Sequence, residues 1–448
     1  MENNNVPKFI RSRDDSTLIA KKYENSFAKI TLTQQVFDNP VIFTGAGSIY
    51  QDEAGQLMLK VYHVYSADYR ERDLLPRGTT GEFIKKERLF RVHAIDMSGK
   101  EWITEDVRVK YNTKHPSIGM LIEVPIDEIK ADITHKEKDE FSIDLMAIGE
   151  YDTPRSLWLK YPDGSTRRTK HIITHNGLEI TTITDPACLY IRISGNNKYY
   201  NAGICDLVIE AINIAVGKRI CILRSILLVN GIVTYKIKST CFHNSKSLSQ
   251  PMPTWLPQYG DNFTDFTVKY LNAFQKPLDV FYMNWRRINS ASESLLDNVA
   301  LIQSTVIESV LKEYFKQYGE PSNEEKALIC NAMELMAASD NKLKTRIVDR
   351  IRDMGKQTAQ NALRDLMKMD CIDGNMYKAW KRRHAMAHGA IISAGDPEDQ
   401  QKALNESNAV LGLFYRLLFI HIGYDKQAYD YSQKGHPIIS VNSLREVP

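Results

Sequence analysis

The period of the hydrophobic positions changes near residue 285. Before that point, short runs rich in β-branched and aromatic residues alternate with turn signals. Ser48–Tyr50 and Leu57–Tyr65 flank Asp52-Glu53-Ala54-Gly55, which predicts a hairpin with a loop of four or five residues. Arg91–Ile95, Gly119–Pro125, Leu157–Tyr161, Leu178–Thr184 and Cys188–Ile193 read as further strands. Pro162-Asp163-Gly164 and Asn230-Gly231 supply turns between such runs. Asp206–Val216 departs from this alternation: its apolar residues recur at helical spacing and stop at Gly217, so it predicts a helix. From Pro251 to Lys276 the chain is rich in proline and aromatic residues, the composition of a packed connector.

Beyond residue 285 the spacing turns helical. From Leu295, the positions Val299, Ile302, Val306 and Val310 recur every three or four residues and end at Gly319, with Pro321 just beyond. Ser322-Asn323-Glu324-Glu325 has the form of a capping box, a hydroxyl for the orphan amides and a carboxylate three residues on. It opens a second helix through Leu328, Ile329, Met333 and Met336. Leu343, Ile347, Ile351, Met354, Leu363 and Leu366 predict one long third helix bent around Gly355. A fourth runs from about Asn375 to His388. Asp396-Pro397-Glu398 opens the fifth, with proline at the first helical position, and Leu411, Phe414, Leu418 and Ile422 carry it to Gly423. Five helices joined by short connections predict a bundle, followed by an extended tail packing back through Tyr424, Tyr429 and Tyr431.

At 448 residues the chain is long enough for two or three domains with cores of their own. With 43% hydrophobic and 25% charged residues it is not a disordered chain. Lys and Arg number 58 against 55 Asp and Glu, a net +3 that excludes a polycation but not a local basic patch. Such a patch exists: Lys342 to Arg383 holds 12 Lys or Arg against 5 Asp or Glu. That is either a solvated helix face or a surface that tracks phosphates. Met1–Asp15 is polar, and the best apolar stretch, Ala409–Ile422, is broken by Arg416 and His421. The expectation is a cytoplasmic protein with no signal peptide and no membrane span. Six scattered cysteines form no C-x-x-C pair and read as reduced core thiols. His171 and His175 lack neighbouring ligands, so neither a metal nor a cofactor is expected.

The most informative segment runs from Asn375 to Gly389. It places Lys381, Arg382, Arg383 and two histidines, His384 and His388, at a helix end closed by glycine. An arginine, four residues and a histidine can serve phosphodiester chemistry without a metal. Guanidinium supplies planar donors to nonbridging oxygens as charge develops. Imidazole, with an ordinary pKa near 6.5, exchanges a proton at neutral pH. This spacing is expected about once by chance in a chain this long, and it occurs three times. Arg88 to His93 falls in a strand-like stretch, where an odd offset puts the side chains on opposite faces. Arg416 to His421 encloses Leu-Leu-Phe-Ile, the core stripe of the last helix. Only Arg383 to His388 has a polar residue after the arginine, flanking cations and a following glycine. On a straight helix the two side chains would diverge by about 140°, so the histidine must sit at the last turn or beyond it.

Arg383-His384-Ala385-Met386-Ala387-His388 resembles the signature of the HEPN ribonucleases: arginine, four to six residues beginning with a polar one, then histidine. The region from about Trp285 to Ile439, including the tail Tyr424 to Ser432, is similar to the HEPN domain of ApeA-like bacterial anti-phage proteins. The segment Val41-Ile42-Phe43-Thr44-Gly45 and the Leu57–Tyr65 strand resemble that family's N-terminal domain loosely. The resemblance implies an α+β multidomain chain. Residues 1–250 would be a β-rich sensor domain, 251–285 a connector, 286–423 an all-α HEPN bundle and 424–448 a tail.

It further implies a metal-independent endoribonuclease of abortive infection, cutting host RNA, plausibly tRNA, by attack of the substrate's own 2′-hydroxyl. His388 would act as base or acid, Arg383 would neutralise the phosphorane, and His384 would orient the phosphate or assist proton transfer. Trp380 would either stack on a base or pack in the core, with Lys378, Lys381 and Arg382 on flanking phosphates. Glu308 or Glu293 would position the arginine or histidine. Two protomers would pair their motif helices about a two-fold axis, and the β-rich part would sense a phage component or restrain the nuclease. The alternative is a non-catalytic RNA- or protein-binding HEPN module. A metal nuclease ranks last, because no trio of carboxylates stands close in sequence.

Overall fold

The alternation predicted for Leu57–Tyr65 is the rule by which the first part of the chain folds. In strand β3 (Leu57–Val64), Leu57, Leu59, Val61 and His63 are buried while Lys60, Tyr62 and Val64 face outward to varying degrees, because successive side chains point to opposite faces. The computed structural model describes residues 14–64, 84–109, 111–115, 119–134, 139–160, 164–240, 247–337, 344–354, 358–387 and 397–441. The chain is α+β, an antiparallel sheet region followed by a helical region, and it separates into two units.

The β unit comprises Met1–Ala202 and Ile220–Asn244. After the short helix α1 (Asp14–Ile19) come β1 (Glu24–Gln34), β2 (Ile42–Gln51), β3, β4 (Phe90–Asp96), β5 (Glu101–Val107), β6 (Tyr111–His115), β7 (Gly119–Ile126) and β8 (Glu128–Thr134). Then follow β9 (Glu140–Ile148), β10 (Leu157–Lys160), β11 (Thr166–His175), β12 (Leu178–Asp185), β13 (Cys188–Asn196), β14 (Cys221–Val229) and β15 (Ile232–Lys238). They pair in the order β10-β11-β12-β13-β9-β14-β15-β8-β5-β4-β1-β2-β3-β7-β6. Only one residue pair, Ile103 with Lys130, joins β5 to β8. The predicted hairpin joins β2 to β3 with Gln51 opposite Leu57. Asn230 and Gly231 both take positive φ, 48° and 73°, the conformation a two-residue hairpin between twisted strands requires. Inside the sheet, Arg192 grips Asp144 through Nε and Nη2 at 2.6 and 2.8 Å, and Arg224 meets Asp15 of α1 at 3.0 Å.

The helical unit comprises Gly203–Arg219 and Ser245–Pro448. Its elements are α2 (Ile204–Ala215), α3 (Tyr259–Ala273), α4 (Val280–Ala291), α5 (Leu296–Tyr314), α6 (Asn323–Ala337), α7 (Lys344–Met354), α8 (Ala359–Lys368), α9 (Gly374–Ala387) and α10 (Pro397–Ile422). The tail forms a small hairpin of β16 (Gln427–Tyr429) and β17 (Ile438–Ser440). Helix α10, about 39 Å long at 1.5 Å per residue, is the axis of the core, with Leu413, Phe414, Leu417 and Leu418 fully buried.

Several expectations change here. The helix predicted over Asp206–Val216 forms, but it belongs to the helical unit and not to the β-rich domain drawn over 1–250. The reason lies far along the chain: Glu210 accepts hydrogen bonds from the Leu278 amide (2.7 Å) and the Tyr270 hydroxyl (3.2 Å), and Asn213 donates to the Tyr282 hydroxyl (2.8 Å). The connector drawn over 251–285 is itself largely helical, α3 and the first half of α4. Phe266 of α3 packs edge-on against Phe419 and Tyr424 at 6.2 and 5.9 Å. The single bent helix expected across 343–366 is two helices. Thr358 caps α8 by accepting from the Asn361 amide at 3.1 Å, and Gly355 lies outside the described residues. The capping box closes as expected, with the Ser322 amide donating to Glu325 (2.7 Å) and the Glu325 amide to the Ser322 hydroxyl (3.1 Å). In the tail, Tyr424 and Tyr431 are buried, and Tyr431 donates to the Gln250 carbonyl at 2.5 Å.

Candidate functional site

Helix α9 starts where the chain turns after α8. Asp370 adopts φ 54°, and the Asp373 carboxylate accepts from the Asn375 amide at 2.6 Å. That contact satisfies one of the orphan donors of a helix start. Among the described side chains of α9, Met376, Ala379 and Trp380 are buried, spaced for one helix face. That face packs against α5, α8 and α10. Arg416 fixes the turn from below: its Nε donates to the Cys371 carbonyl at 2.5 Å.

The sequence-predicted residues fall into four groups. Lys378 and Lys381 are exposed on α9 and make no ion pair among the described residues. Arg382 has its side chain 60% exposed yet pairs with Glu406 of α10 at 2.8 Å, where Glu406 is nearly buried. One of the expected phosphate contacts therefore compensates an interior carboxylate. Trp380 is only 2% exposed. Its ring fills the core and offers no face to a base, which corrects the stacking role expected of it. Arg383 and His384 belong to the α9 backbone, but their side chains, and His388 altogether, lie outside the described residues. In the helix register Arg383 stands seven, four and three residues after Met376, Ala379 and Trp380. Of the two proposed positioning carboxylates, Glu308 is partly buried on α5, a helix packed against α9, and Glu293 is exposed between α4 and α5.

The basic run from 342 to 383 is less uniformly free than its charge suggests. Lys368 pairs with Asp365 at 3.1 Å, and Arg364 donates from Nε to the Tyr377 hydroxyl of α9 at 3.2 Å. Arg364 and Lys368, with Arg350, also border a cavity of about 920 Å³ among α6, α7 and α8 whose other walls include Glu320, Glu325 and Asp365. That cavity mixes both signs of charge. Sequence reasoning missed Glu406, whose burial within the polar turn Asn405-Glu406-Ser407-Asn408 is visible only once Arg382 is found opposite it.

The other two arginine–histidine pairs occupy structural positions. Arg88 sits in a 3₁₀ turn ahead of β4, and His93 pairs with Glu101 at 3.1 Å. His421 is enclosed by Phe274, Phe281 and Tyr314 at ring distances of 5.4, 5.3 and 4.2 Å. Burial holds its imidazole below the ordinary value against the pull of Asp279. In the β unit, His171 is buried and shares a hydrogen bond with the Ser156 hydroxyl (2.7 Å), while His175 meets the Asn176 side-chain amide (3.0 Å). Among the described residues no three His, Cys, Asp or Glu side chains gather as metal ligands. No helix among them is long and apolar enough to cross a membrane. Of the cysteines, Cys188 and Cys371 are buried and Cys330 is exposed, none in a disulfide. No family model, no curated protein and no solved structure matches this chain.

Proposed function

We propose that the helical unit is a metal-independent endoribonuclease of the HEPN kind and that its centre is the C-terminal end of α9. The observation that carries this reading is that Arg383 stands four residues before Ala387, the last residue of a helix that packs against α5, α8 and α10 and whose outer face presents Lys378 and Lys381 unpaired among the described residues. A packed helix with unpaired cations along its outer face suits a polyanion whose scissile bond must be held still. Lys378 and Lys381 track phosphates, Arg383 stabilises charge on the nonbridging oxygens, and His388 moves the proton of the 2′-hydroxyl or of the leaving 5′-oxygen. His384 orients the phosphate. Arg382 contributes less, because Glu406 already holds it. A second copy pairing through α9 would double the site, and the expected setting is anti-phage defence, with the β unit as sensor or restraint.

The test is sequencing of RNA ends after brief expression of the wild type and of His388→Ala. The expected result is new 2′,3′-cyclic phosphate ends, plausibly in tRNA, that form in EDTA, are absent from a substrate with 2′-deoxyribose at the cut, and are reduced at least 100-fold by the substitution. Cleavage by His388→Ala at the wild-type rate would remove the nuclease reading. Binding of RNA without any cleavage by the wild type would leave the module a non-catalytic one.

A further inference from the structure

The outermost strand of the sheet, β10, exposes a large aromatic ring in a field of positive charge. Trp158 is 62% exposed and its neighbour Leu157 44%, on a strand where no residue is buried. Their orientation follows from the register with β11. Leu157 pairs with Lys170 and Trp158 with Arg168, so one step on β10 matches two on β11. Directly opposed residues share a face, so Trp158 stands beside Arg168 and Leu157 beside Lys170. The extra residue of this bulge, Thr169, lies on β11, so β10 keeps its alternation: Leu159 packs on the core, and Lys160, two residues on from Trp158, shares its outer face. Lys160 at the end of β10 and Arg155 just before it are exposed as well. Among the described residues Arg155, Lys160, Arg168 and Lys170 make no ion pair. Residues 155–170 hold five Lys or Arg against one Asp, a local +4 in a chain whose total is +3.

An exposed indole costs free energy unless something covers it. What covers it here must be flat, and it must carry negative charge at regular intervals on either side. We propose that the β10–β11 hairpin is a docking platform for single-stranded nucleic acid, with Trp158 stacking on an unpaired base and Arg168 and Lys160 on the flanking phosphates. Duplex is excluded as the preferred form, since its bases present no free face to the ring. The platform belongs to the β unit alone and stands whether or not α9 cleaves RNA.

The experiment uses the full-length chain and a short fluorescein-labelled 2′-O-methyl oligouridylate. That probe lacks the nucleophile of 2′-hydroxyl cleavage, so binding is read by anisotropy without degradation. The expected result is salt-dependent binding that Trp158→Ala weakens about tenfold and Trp158→Phe largely retains. Arg168→Glu combined with Lys160→Glu lowers the slope of log K against log salt by about 1–2. Circular dichroism checks the fold of each variant, and Trp158 is exposed enough for alanine to leave it intact. Equal affinity of the wild type and Trp158→Ala overturns the proposal, as does the absence of oligonucleotide binding. Trp158-dependent binding of an oligoglutamate peptide instead of the oligonucleotide also overturns it and assigns β10 to peptide addition at the sheet edge. Cleavage by His388→Ala is scored separately, so failure of the platform and failure of the nuclease reading are told apart.

Discussion

The end of α9 and the end of α10 carry an arginine and a histidine at the same spacing, and the surroundings of the two pairs differ in kind. On α10, Arg416 is spent on the Cys371 carbonyl and His421 is enclosed by three aromatic rings. Both groups are held by the protein, Arg416 buried and His421 half-buried among the rings. On α9, the segment before the motif divides its residues cleanly: Met376, Ala379 and Trp380 go inward, Lys378 and Lys381 outward. A spacing of five says nothing by itself. It acquires chemical meaning where neighbouring cations are left for a ligand and loses it where the core consumes them.

Four measurements sharpen or break this contrast. The largest effect is expected from Trp380→Ala, which removes a fully packed indole and should cost about 3–5 kcal/mol of stability in denaturant titration, while Trp380→Phe keeps most of it. A Trp380→Ala protein of unchanged stability with weakened RNA binding would restore the stacking role. Next is Arg416→Ala, expected to cost about 2–3 kcal/mol because the Cys371 carbonyl loses a charged donor. Cleavage per folded molecule should stay at the wild-type level, and a loss of cleavage in the folded fraction would make α10 part of the site. Third, Lys378→Glu with Lys381→Glu should leave stability nearly unchanged and weaken RNA binding about tenfold, with a shallower salt dependence. The smallest effect is at His421. Its imidazole is held neutral by burial, so the unfolded chain binds the extra proton as pH falls below about 6.5. The stability it contributes is complete above that value and lost on acidification. His421→Phe should flatten stability between about pH 7 and 5 by less than about 1 kcal/mol, with cleavage unaffected.

Glu210 leans the other way with pH. Desolvation pushes its carboxyl up to about 7, against hydrogen bonds from Leu278 and Tyr270 that favour the charged form. The folded chain binds more protons there than the unfolded one, so this group's contribution is complete below its ordinary range and is lost as pH rises through 7.

Local signals were legible where local forces decide. The Ser322–Glu325 box, the Asp52–Gly55 hairpin and the Pro397 start of α10 are fixed by groups within a few residues of one another. Helix α2 was legible as a helix but not as a member of the helical unit, because Glu210 finds its partners sixty residues and more downstream. Helix α3 was hidden by its composition. Tyr259, Phe263, Phe266 and Tyr270 are weak helix formers held by packing on the tail and on α10. The break between α7 and α8 rests on Thr358, a cap that a continuous apolar period had overridden. Within the candidate site, the cations on the open face of α9 were readable from charge alone. The inward turn of Trp380 was not, since an indole suits a core and a base equally well.

The position of α2 also sets an order on how the molecule is made. Its residues leave the ribosome before β14 and β15, which complete the sheet, whereas Tyr270, Leu278 and Tyr282, which receive it, emerge later still. The helical unit therefore has no complete set of parts until every strand of the large sheet has been translated. A fragment starting at Ser245 would be born without one of its own walls.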